Sequence, residues 1–160
     1  MAASVKVSGG NRWENALKSY ADAGKQVVKV GILEGATSSG EAGKAGLNLA
    51  TLAAIHEFGT ENIPTRSFMR STLAKEGANW KNAIVIHLQK RSRGVEEALT
   101  AAGELASKDI MLTIEGNISP GLKKATIRRK ERRGKAIPDL ALVDTGAMQE
   151  AIGYEVTAND

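Results

Sequence analysis

Three features of the sequence predict an α+β fold, with a small, mostly antiparallel sheet packed with two long antiparallel helices and shorter helices. Short β-branched, alternating runs stand at residues 4–8, 26–33 and 152–157, near the two ends of the chain. Two long runs between them, at about 68–90 and 95–115, repeat apolar side chains at helical spacing. Aromatic residues are only 4% of the chain, so the core must rest on Leu, Ile, Val and Ala, as in helix-rich packing. With 160 residues, 42% hydrophobic and 25% charged, one domain spanning 1–160 is expected.

The elements follow in order. Residues 4–8 (SVKVS) read as a first strand ending at Gly9-Gly10. Asn11 is placed to cap a helix that sets Trp13, Ala16, Leu17 and Tyr20 on one face and ends near Gly24. Residues 26–33 (QVVKVGIL) read as a strand antiparallel to the first strand or to the last. The four glycines of residues 34–46 predict a mobile loop. A phosphate-binding P-loop fails there on spacing, because its first glycine position holds Ser38 and its hydroxyl position holds Ala45.

Residues 48–58 read as a helix capped by Asn48, with Leu49, Leu52, Ala53 and Ile55 inward. Gly59 is expected to stop it in a left-handed C′ conformation. Pro64 then turns the chain, and Ser67 is expected to cap a helix opening at Phe68. The apolar stripe of that helix would be Met69, Leu73, Trp80, Ile84 and Leu88. Gly94 breaks it, and the second long helix turns Leu99, Ala102, Ala106, Ile110 and Ile114 toward the core. Residues 117–120 end the helical section, and a basic loop is expected over 119–138. Asp144 or Thr145 would cap a short helix at 146–151 before the closing strand.

Charge is unevenly distributed. Residues 121–135 (GLKKATIRRKERRGK) hold eight of the 22 basic residues and one of the 18 acidic ones, a local net charge of +7. The remainder carries 14 basic and 17 acidic residues, a net −3, so the protein is a mildly acidic body with one basic segment. Lys123, Lys124, Arg128, Arg129, Lys130, Arg132, Arg133 and Lys135 make that segment a candidate surface for DNA phosphates or for an acidic partner. A purely solvated loop is the alternative. No aromatic residue interleaves these cations, which argues against base stacking and base-specific recognition.

Enzymatic and metal chemistry find little support. The chain has no cysteine, hence no disulfide frame and no thiolate site. His56-Glu57 begins like the zinc motif HExxH, but the second histidine position is Thr60. His87 has no histidine or cysteine four residues away, and the carboxylates are scattered, with no pair set apart as acid and base. The expectation is a protein without catalytic residues, cofactor or metal. No apolar run reaches the ~20 residues that span a bilayer, and residues 1–10 lack the signal-peptide pattern.

Residues 52–72 combine a helix end, a glycine stop, a proline turn and two arginines, and both phenylalanines of the chain lie there. Arg70 falls in the first turn of a helix, where a cation opposes the macrodipole by ~0.3–1 kcal/mol unless paired. Glu57 is its natural partner within the chain, and an acid on a neighbouring subunit is the alternative.

IHEFGT followed by IPTRSFMRST resembles the signature of tailed-bacteriophage neck, tail-completion and virion-morphogenesis proteins, in which an EFGT-like turn precedes P-x-R-P-F-L-R-P and a long helix. Glu57, Phe58, Gly59, Thr60, Pro64, Arg66, Phe68 and Arg70 match, with Ser67 and Ser71 in place of proline and Met69 in place of leucine. LVDTGAMQEAIGYEV is similar to the closing L-x-D-T-G-x-L-x-x-S-I block of that family. Asp144, Thr145, Gly146 and Ile152 match it, with Met148 for leucine and Ala151 for serine.

The resemblance implies a structural virion protein of the head–tail junction, assembled in the host cytoplasm. It would act as a homo-oligomeric ring, six subunits being the expected number, that joins the tail to the head connector or adaptor. Its neighbours would be the tail tube or tail terminator proteins, with non-specific contact to phage DNA through the basic segment and none to a membrane. A tail terminator capping the tube, or a small DNA-binding accessory protein, are the alternative readings. The matching residues, Arg66 and Arg70 foremost, would form the contacts between subunits.

Overall fold

The computed structural model describes residues 24–32, 48–89 and 94–158. The first strand and first helix read from the sequence, and the glycine-rich loop 34–46, lie outside them. β1 (Gln26–Ile32) and β2 (Ile152–Ala158) form a two-stranded antiparallel sheet in continuous register, from Gln26 opposite Ala158 to Ile32 opposite Ile152. The partner of the 26–32 strand is therefore the last strand, one of the two expected. Lys29 and Glu155 face each other across it at 3.6 Å. Both are well exposed, so this pair adds at most a few tenths of a kcal/mol.

A two-stranded sheet is marginal alone and needs a packed face. Here α3 (Val95–Glu115) provides it, running against both strands. Small residues let the backbones approach, since Ala98, Ala102, Gly103 and Ala106 are all buried. At Gly103 an added Cβ would lie 2.5 Å from Cδ2 of Tyr154 and 2.9 Å from Cγ2 of Val28. Alanine is the better helix former by about 1 kcal/mol, yet this contact is with a ring and a branched side chain and not with the far end of a flexible one. Gly103→Ala is expected to lower stability by about 1–3 kcal/mol through overpacking. Urea unfolding measures it, and an unchanged midpoint would mean that the sheet is free to move away from α3.

α1 (Leu49–Phe58) starts where expected, with Asn48 Oδ1 accepting the Ala50 N–H at 2.8 Å. α2 (Phe68–Gln89) packs antiparallel on α3. The direction is recorded by two cross-links, Thr72 to Thr113 and Trp80 to Asp109, each at 2.7 Å. α5 (Ala147–Glu150) leads into β2. Neither expected residue caps α5: Gly146 stands at its N-cap with no side-chain cap, and the Thr145 hydroxyl, one position earlier, accepts the Ala147 N–H.

One cluster joins these elements: Leu49 and Ala53 of α1, Phe68 of α2, Ile110 and Ile114 of α3, Leu142, Met148 of α5 and Ile152 of β2. α2 departs from the predicted stripe. Only Phe68 and Thr72 are buried on it, whereas Leu73 is exposed and Met69, Trp80, Ile84 and Leu88 are half-buried. Positions 68 and 72, one turn apart, face the core. Met69, Leu73, Trp80 and Ile84 of the stripe instead line an apolar groove with Val28, Val30 and Ala106.

The basic segment also differs from expectation. It is not loop throughout, because Lys124–Arg132 forms the nine-residue helix α4. Lys, Ala, Arg and Glu are good helix formers, and charge alone does not stop a helix that is pinned to the body. Among the described residues no helix is long and apolar enough to cross a membrane.

Candidate functional site

The site is built on the corner between α1 and α2. α1 ends because Gly59 takes φ +76°, ψ 175°, while its N–H still donates to the Ile55 carbonyl at 2.8 Å. The positive φ agrees with the glycine stop, but the extended ψ sends the chain outward and is not the left-handed C′ geometry. A Cβ there would meet Thr65 Oγ1 at 2.7 Å and Thr65 N at 2.9 Å. Thr60 and Ile63 exchange backbone hydrogen bonds around the turn. The chain then returns beside α1, with the Arg66 N–H donating to the His56 carbonyl at 2.7 Å. Pro64, exposed at the outer side of this turn, keeps it from rejoining a helix.

Glu57 closes the corner. It is 4% exposed, and its carboxylate accepts from the backbone N–H groups of Met69 (2.9 Å) and Arg70 (3.0 Å) and from the Ser67 hydroxyl (2.7 Å). Glu57 therefore caps α2 from the preceding helix, and Ser67, expected to cap it, donates to that cap instead. The Arg70 guanidinium completes the arrangement, with Nε on Glu57 Oε1 and Nη2 on the Glu57 carbonyl, both at 2.9 Å. The internal partner expected for Arg70 is the one found. Burial pushes the Glu57 pKa up, but the hydrogen bonds from Met69, Ser67 and Arg70 outweigh it and hold the carboxyl below its ordinary 4.5.

Arg70 also stacks on Phe58, its guanidinium carbon 4.8 Å from the ring centroid. Phe58 is 65% exposed. The two residues form an exposed aromatic–cation platform on the outer side of the corner.

Arg66 is placed otherwise than expected. It is 5% exposed and donates from Nε to the Pro120 carbonyl at 2.7 Å and from Nη2 to the Gly121 carbonyl at 3.2 Å. It therefore ties the corner to the start of the basic segment and offers nothing to a second subunit. Burial first and the Arg66 charge second push the pKa of the neighbouring His56 below its ordinary value. Phe68, another matching residue, is wholly buried in the core.

Within the basic segment, Lys130 is likewise corrected from surface to interior. It is 6% exposed, and Nζ donates to the carbonyls of Leu140 and Val143. Burial lowers its pKa, Lys135 adds to that, and Asp144 and Asp139 oppose it. Lys123, Lys124, Arg128, Arg129, Arg132 and Arg133 are exposed, and Lys135 is half-buried. Asp144 and Thr145 are exposed, and Gly146 holds φ +87° ahead of α5.

The structure thus brings the two motif blocks onto one core, through Phe68 of the first and Met148 and Ile152 of the second. Residues that the sequence did not single out do the joining. Asn117 Oδ1 accepts the Ala141 N–H, and the carbonyls of residues 120, 121, 140 and 143 receive the buried cations. Carbonyl acceptors carry no signal in side-chain identity. Among the described residues no three His, Asp or Glu side chains gather as a metal site would require. No protein-family model, curated protein or solved structure matches this chain.

Proposed function

We propose that this chain is a structural protein of the tailed-bacteriophage head–tail junction, a neck or tail-completion subunit that acts as a homo-oligomeric ring between the head connector and the tail. The observation that carries the reading is the convergence of the two resembling blocks, which lie far apart in sequence, on one core and one rigid corner. Their shared residues have interlocking physical tasks: Glu57 caps α2, Arg70 clamps Glu57, and Phe68 seats the corner in the common core. That interdependence supports reading the corner as one unit that presents a surface.

The surface it presents is the Phe58–Arg70 platform. Aromatic residues, phenylalanine among them, and arginine are both enriched at protein interfaces. Phe58→Ser changes an exposed side chain, so the monomer is expected to keep its unfolding midpoint while ring formation and tail joining fall by tenfold or more. Mass photometry of the purified protein and electron microscopy of labelled virions test this directly. A label absent from the head–tail axis, or assembly unchanged in Phe58→Ser, overturns the proposal or its assignment to the platform, respectively.

A further inference from the structure

We infer that the outer face of α4 is a binding ridge for the phosphate backbone of duplex nucleic acid, used without regard to base sequence. Lys124, Arg128 and Arg132 succeed one another at four-residue steps, about 6 Å apart along a helix axis, and Arg129 and Arg133 form a second row beside them. All five are exposed, as is Lys123 at the cap. None of the six forms an ion pair among the described residues. The adjoining carboxylate is Glu131, which leaves the exposed face at a net +5.

The arrangement is unfavourable for the isolated chain. Like charges four residues apart on a helix repel, and a lysine in the first turn opposes the macrodipole. The helix holds because its inner face is fastened: Lys130 is driven into the body, onto the carbonyls of Leu140 and Val143, with Thr126 and Ile127 on the same side. Arg66 fixes the carbonyls just before the helix. The backbone that carries the cation rows is thereby held in place, which lowers the ordering cost of engaging a regular polyanion.

The chemistry of the ridge selects among polyanions. Four of the six exposed cations are arginines, whose forked donors fit phosphate oxygens in pairs. No aromatic residue lies in 121–135 for stacking on unpaired bases. No large apolar side chain is exposed between residues 123 and 135, so the face lacks the wedge that seats a helix in a membrane and the apolar centre around which protein interfaces are built. A double-helical backbone, with regularly spaced phosphates, fits what remains. The inference stands independently of the assembly reading, because it concerns binding by the free protein.

The test is fluorescence anisotropy with a labelled duplex of arbitrary sequence, titrated with the full-length protein. Engagement of about four phosphates predicts an affinity loss of roughly 100-fold between about 50 and 200 mM salt. Replacing Arg128, Arg129, Arg132 and Arg133 by glutamine is expected to weaken binding at least tenfold and flatten the salt dependence, with an unchanged circular dichroism spectrum. Lys75→Gln with Lys108→Gln, two exposed cations on other helices, is expected to change binding less than threefold. Equal weakening by both variants would reduce the effect to net charge and overturn the ridge. So would undiminished binding in the arginine variant, tighter binding to anionic vesicles, or full competition by polyglutamate at matched charge. Failure of ring assembly with intact duplex binding would instead count against the neck reading alone.

Discussion

Glu57→Ala is expected to destabilise the fold by about 3 kcal/mol, because it removes a buried acceptor of several charge-assisted hydrogen bonds and leaves the α2 cap donors unsatisfied. Four donors converge on this carboxylate: two backbone N–H groups, one hydroxyl and one guanidinium. A loss of that size is a large share of the 5–15 kcal/mol that holds a typical domain together. Arg70→Ala is expected to cost much less, about 1 kcal/mol, since the Arg70 side chain is 57% exposed and water can replace it. Glu57→Gln should fall between, as its amide group would face one of the N–H donors. Urea unfolding of the three variants orders them, and an Arg70→Ala loss equal to that of Glu57→Ala would mean that the ion pair, not the cap, holds the corner.

The same carboxylate gives the protein a predictable response to acid. Its folded-state pKa lies below the ordinary 4.5, so the folded state favours the ionised form. The stabilisation is complete above the unfolded pKa and is lost as pH falls through the folded one. Stability is therefore expected to decline below about pH 4.5, and the decline should be shallower in Glu57→Gln. Parallel pH profiles for the two proteins would place the acid sensitivity elsewhere.

Phe68→Ala carries the other large expectation, a loss of about 3–5 kcal/mol. Phe68 has no exposed surface and is one of the two largest fully buried side chains of the described residues. Its cluster draws on α1, α3, α5 and β2 at once, so the vacated volume has walls from four elements and little freedom to collapse. Met148→Ala shares that cluster, and the double variant is expected to lose less than the sum of the two single losses. Strict additivity in chemical denaturation would show that the two motif blocks do not depend on one another.

Local signals in the sequence located most of the frame. Asn48, Gly59 and Gly94 act through their own backbone neighbours, so the bounds of α1, α2 and α3 were readable within a residue or two. The Glu57–Arg70 pairing was readable because a cation in a first helical turn needs an explanation. What failed depended on distant groups. Ser67 has the right chemistry for a cap, but Glu57, ten residues earlier, reaches the same N–H groups with a full charge. Arg66 and Lys130 were grouped with surface cations, and only the fold reveals the carbonyls that draw them inward. α4 was hidden by its charge: eight cations in fifteen residues read as solvated loop, although the residue types favour helix.

The pairing of β1 with β2 has a bearing on how the molecule comes into being. β1 precedes every described helix, and its hydrogen-bonding partner is residues 152–158. During synthesis β1 is therefore complete before α1 to α5 emerge, and among the described residues its strand pairing waits for residues 152–158. Closing so long a loop is slow relative to helix formation. The helical hairpin and the Glu57 corner are free to settle first, and the sheet is expected to close last.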